Sequence, residues 1–204
     1  MPTDEKTDDD NGSLPDDMDD IEDPHVGKGD AQNEELHKAR LESYGDVHEQ
    51  AWQAVLEEME VLATDRKNDG WETHTVIAAH TDAVSKDMGQ HDRFGLHHIV
   101  PNNHADVISD IYDESEFSEF LAYGKPIESF VFLVTEFIDP DRQRSIFVAC
   151  SYDPTRGKGM VENGEEYGCL NTYFKTIDGT ILGKFTHERW EPLVGKEPEE
   201  ATEL

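Results

Sequence analysis

The sequence predicts an α+β fold: a mainly antiparallel sheet of about six strands with a long N-terminal helix and shorter helices packed on it. Three observations carry this. Residues 130–152 set two runs of aromatic and β-branched residues on either side of Asp139, Pro140, Asp141, Arg142 and Gln143. Residues 169–186 repeat that pattern around Asp178-Gly179, a pair suited to a two-residue turn. Residues 34–67 instead space their apolar side chains three and four apart, as a helix does.

In chain order, residues 1–33 are rich in Asp, Glu, Gly and Pro and almost free of aliphatic side chains. They offer too little apolar surface to offset the entropy of ordering, so a disordered acidic tail is expected. The single domain is expected over 34–193. Its first helix presents Tyr44, Val47, Ala51, Trp52, Val55, Met59 and Leu62 on one stripe, with Trp52 as anchor and Asp46 as a possible cap for a firmer start at Val47. Asn68, Asp69 and Gly70 stop it. Strands follow at 72–79 and 94–100, separated by a polar segment. A helix over 103–112 and another over 115–123 lead to Gly124 and Pro126, which act as stops.

The central hairpin then comes from 130–137 and 145–152. Neither run has a polar face, so both belong in the middle of a sheet covered on each side. After a loop and a helical turn at 160–167, the last hairpin pairs Thr176 with Ile181, Phe174 with Gly183 and Thr172 with Phe185, and lies nearer the sheet's edge. Residues 194–204 read as a loose acidic end.

Charge narrows the function classes. The 204 residues hold 47 acidic and 17 basic side chains, a net charge of -30. The first 35 residues account for 14 acidic and 2 basic, which leaves 33 against 15 on the rest, so the whole domain is acidic. Such a field repels nucleic-acid phosphates and anionic lipid surfaces, which excludes nucleic acid and membrane as partners and leaves a protein or a small molecule. It also destabilises a compact chain unless salt screens it; near 1 M the screening length is about 3 Å. The composition therefore reads as halophilic adaptation in a cytoplasmic protein. No run of 18 apolar residues and no basic-then-apolar leader pattern is present in the sequence. Cys150 and Cys169 lack C-x-x-C spacing and sit in strand patterns, as buried thiols of a reducing compartment do.

Chemistry concentrates in 80–106, which holds His80, His91, His97, His98 and His104 beside Asp82, Asp92 and Asp106. A transition metal needs three or four converging donors, and His80, Asp82, His98 and His104 are the candidate ligands. No catalytic metal motif is matched. Arg142, Arg144, Arg156 and Lys158 form a second basic group, but the central hairpin separates the first two from the last two by a strand length, about 25 Å. They read as separate counter-charges. Ser145 and Ser151 lack the G-x-S-x-G elbow and read as strand residues.

The segments DGWETHTVIAAHTDAVSKDMG, HDRFGLHHIVPNNHAD, FLVTEFIDPDRQRSIFVACSYD and KTIDGTILG resemble an uncharacterised haloarchaeal family known only as a domain of unknown function. The resemblance covers roughly 52–193 and implies a cytosolic haloarchaeal protein, with no activity or catalytic residue to transfer. The function expected is non-enzymatic binding of a protein partner or small ligand, with no cofactor. The alternative is a hydrolytic enzyme dependent on zinc or another divalent transition metal held by the His/Asp cluster.

Overall fold

A computed structural model describes residues 31–88, 93–114, 116–127 and 130–196. The acidic tail as far as residue 30, the end beyond 196, and His91 and Asp92 of the histidine-rich segment lie outside them. The chain divides into two compact units after Glu42, the larger beginning at Ser43.

The α+β class holds, but the sheet is not one. Among the described residues, eight strands form two four-stranded mixed sheets. The first has the order β1 (Glu72–Ile77), β6 (Arg144–Tyr152), β5 (Phe130–Asp139), β4 (Glu119–Ile127). The second has the order β2 (His80–Val84), β3 (Gly95–Ile99), β7 (Leu170–Lys175), β8 (Ile181–His187). β1 runs parallel to β6 and β3 parallel to β7, so each sheet mixes directions. Two alanines explain why the sequence read as a single sheet. The Ala78 N–H donates to Ala149 in the first sheet, and the next N–H, of Ala79, donates to Ile99 in the second. The chain thus changes sheets within two residues, and the segment beginning at His80, read as polar loop, is an edge strand.

The central hairpin lies where its sequence demands. β5 and β6 are the two inner strands of the first sheet, and alternation splits their side chains between two cores. Phe132, Val134, Phe147 and Ala149 pack under Ala51, Val55, Met59 and Ala63 of α1 (Ala31–Asn68). Val131, Leu133, Phe137, Ile146, Val148 and Cys150 face the second sheet. The buried row on α1 is spaced four apart and excludes Trp52, which is only partly covered; Val47 is exposed. The helix ends at Asn68 as expected. Gly70 takes a φ of 87°, and the Trp71 N–H closes back on Arg66, the geometry glycine permits after a helix.

Residues 119–123 belong to β4 rather than to a helix. Phe117, Phe120 and Leu121 mimic a helical stripe, but pairing of Glu119–Ile127 with β5 wins. Gly124 does not stop this strand. A Cβ there would stand 2.1 Å from the Phe132 carbonyl oxygen, so only glycine lets the edge approach. Pro126 is tolerated because β4 is an edge.

Helices α2 (Asn102–Glu114) and α3 (Lys158–Tyr167) cover the second sheet near β8 and β7 respectively. The last hairpin keeps Phe174 opposite Gly183 and Thr172 opposite Phe185, but a bulge after Phe174 sets Lys175, not Thr176, against Ile181. Glu191–Val194 forms a short 3-10 helix that buries Leu193, so ordered packing reaches past 193. Among the described residues no helix is long and apolar enough to cross a membrane.

Candidate functional site

Where β2 passes the end of β6, the two sheets leave a recess of about 530 Å³. That is within the range of small-molecule sites. Its walls carry His80 and Asp82 from β2, Ser151 and Tyr152 from β6, and Asp153 and Arg156 from the loop before α3; Val84, Met88 and Phe130 supply apolar surface. Recesses of comparable size along α1 are lined by that helix alone and are the furrows between its own exposed side chains.

Alternation along β2 explains the wall. His80 and Asp82 are two residues apart, hence on one face, and His80 Nε2 lies 2.8 Å from Asp82 Oδ1. Both are more than half exposed. Arg156 is 4.0 Å from Asp153, whose other oxygen accepts from the backbone N–H and hydroxyl of Thr155. Those bonds hold the Asp153 carboxyl below its ordinary range. The arrangement can hydrogen-bond a polar ligand from an imidazole, two carboxylates, a hydroxyl and a guanidinium at once.

The four residues singled out as metal ligands separate into three places. His80 and Asp82 pair in the recess. His98 points to the other face of its sheet, is 1 % exposed, and bonds through Nδ1 to the Thr81 hydroxyl at 2.9 Å. Burial, with His97 and His187 adding to it, pushes His98 down to about pH 3. His104 stands on α2 with Nδ1 3.1 Å from Nε2 of His74. Among the described residues no three His, Cys, Asp or Glu side chains gather as metal ligands would.

The basic residues are separate counter-charges. Arg142 pairs with Asp139, Arg144 with Glu72 and Lys158 with Glu162. The Cys150 and Cys169 thiols are free. Cys150 is buried, which pushes its pKa up to about 12, far from a nucleophile's. Ser145 donates to buried Glu136 at 2.7 Å, leaving Ser151 as the serine that lines the recess. Two polar residues escaped the sequence reading. His74 sits in an ordinary strand pattern, and Glu136 sits inside an apolar run; the lone carboxylate in that run was the available signal for a buried ion pair.

These layers, helix on sheet on sheet with a polar recess at one corner, define an α+β domain. The chain belongs to the family of unknown function DUF7529, which it matches over residues 38–195. No curated protein and no solved structure matches it.

Proposed function

We propose that the domain binds a small ligand carrying a carboxylate or phosphate group and an apolar body, in the recess between β2 and the end of β6. The observation that carries this is the convergence of His80, Asp82, Ser151 and Arg156 from separate segments on one ligand-sized hollow. Arg156 offers a planar fork of donors matched to such an anion. The imidazole held by Asp82 and the Ser151 hydroxyl would fix the ligand's polar edge, with Val84, Met88 and Phe130 against its apolar side. A docked protein segment is the competing occupant, and it would have to present the same acidic group.

The setting we infer for this activity is the cytosol of a salt-accumulating haloarchaeon. What supports it is the excess of 33 acidic over 15 basic residues beyond position 35, a charge density that screening at molar salt relieves.

Thermal melting of the full chain tests both statements. Unfolding should occur at clearly higher temperature in molar KCl than in dilute buffer; equal midpoints would sink the salt-adapted setting. In KCl, a panel of small organic acids and organic phosphates should contain members that raise the midpoint, since a ligand at about 100 times its Kd stabilises by about 2.7 kcal/mol. Arg156→Ala and His80→Ala should abolish the rise while leaving the ligand-free midpoint unchanged, because both side chains are mostly exposed. A rise that persists in both variants would place the ligand elsewhere.

A further inference from the structure

We infer that His74 and His104 form a two-imidazole site for a divalent transition metal of the nickel, copper and zinc group, at the seam between β1 and α2. Two periodicities bring the rings together. Val76 of β1 and Ile108 of α2 pack in one apolar cluster, each no more than 1 % exposed. His74 lies two residues before Val76, on the same strand face, and His104 lies four residues before Ile108, on the same helix face. The apolar cluster that both elements enter therefore also sets both imidazoles one step outward from it. Their spacing is a product of packing and needs no flexible loop.

His74 Nε2 and His104 Nδ1 stand 3.1 Å apart. The ring centroids are 5.2 Å apart and the planes cross at 67°. Two imidazole nitrogens on one tetrahedral zinc, each about 2.0–2.1 Å from it, are about 3.3 Å apart, with ring centres about 5.2 Å apart. Only a few tenths of an ångström separate the free pair from that geometry.

Without metal, one ring donates its N–H to the other's lone pair. On binding, that proton moves to the far nitrogen of its own ring, and both near nitrogens turn their lone pairs to the metal. Two neutral rings thus bind without releasing a net proton. Waters fill the remaining positions, and imidazole ligands favour nickel, copper and zinc over magnesium or calcium. Lys67 of α1 opposes a cation there, since its charge already acts on His74. With half a tetrahedron supplied by protein, the site is weaker than a four-ligand structural one.

The test is calorimetric titration of the full chain in molar KCl with zinc and with nickel, followed in parallel by NMR of the histidine ring nitrogens. One metal per chain should bind saturably, with the His74 and His104 ring signals moving together. His74→Gln and His104→Gln should each weaken association at least tenfold, since loss of even an outer partner of a metal ligand typically costs 10–100-fold. His80→Gln should leave it unchanged. Absence of saturable binding below about 1 mM would overturn the inference, as would binding that survives both seam variants or ring signals that stay still while metal binds. The wild-type ring signals decide the matter even where a variant fails to fold.

Discussion

The first sheet is covered by a helix on one side and by a second sheet on the other, and the two interfaces bury polar groups by opposite means. Under α1, Glu136 is 1 % exposed and bound by Arg66 at 2.7 and 3.2 Å and by the Ser145 hydroxyl at 2.7 Å. Arg66 also lies over the Trp71 ring, 4.5 Å from its centroid. Here a charge is kept dry by pairing it completely. Between the sheets, His98 and His187 are 1 % and 3 % exposed. Each meets a threonine hydroxyl, Thr81 at 2.9 Å and Thr172 at 3.0 Å. Burial depresses them to about 3 and about 4, so these polar groups are kept dry by remaining neutral. A paired charge depends on its partner. A neutral imidazole depends on pH.

The largest effect expected is on the helix side. Arg66→Ala should cost about 3–5 kcal/mol in urea unfolding at fixed KCl, because it strands a buried carboxylate. Replacing both partners, Arg66→Met with Glu136→Leu, should recover most of that loss. If the double variant were as unstable as the single one, the carboxylate would not be the source of the cost.

Acidification acts next, and on the other interface. The unfolded chain protonates its histidines near pH 6.5, while His98 and His187 stay neutral in the fold until about 3 and 4. Between those limits the unfolded state binds more protons, so stability falls as pH falls below 6.5. The two groups together should remove about 2–3 kcal/mol between pH 7 and pH 5.5. His187→Phe should reduce the slope by about a third, because buried His97, also pushed down to about 4, adds to it, and an unchanged slope would assign it to other groups. The smallest effect expected is that of Thr81→Val. It leaves His98 Nδ1 without its hydroxyl and should cost about 1–2 kcal/mol, measured in the same unfolding series.

The sequence disclosed what is local. The hairpin around Pro140 was legible because apolar runs without a polar face have one stable place, and the Asp178-Gly179 turn carries its own chemistry. The end of α1 was marked by Gly70. Parallel pairing of β1 with β6 was illegible because the partners are about 70 residues apart and leave no shared local pattern. β4 was hidden by a coincidence of spacing that its pairing with β5 overrides.

At the candidate sites, a strand's two-residue repeat correctly put His80 beside Asp82. Nothing in the sequence showed that Ser151 and Arg156 share their recess, or that His104 meets His74 rather than His98. Those juxtapositions depend on where the chain passes between sheets at Ala78 and Ala79.

Pro126 interrupts the outer margin of the first sheet at β4. In dilute solution, like charge would hold copies of such an acidic chain apart; in brine that repulsion is quenched within a few ångströms. Neighbouring molecules can then touch, and an unbroken strand margin would invite them to zip together through their backbones. The N–H that Pro126 lacks leaves a gap in that margin, an obstacle to such zipping that works at any salt concentration.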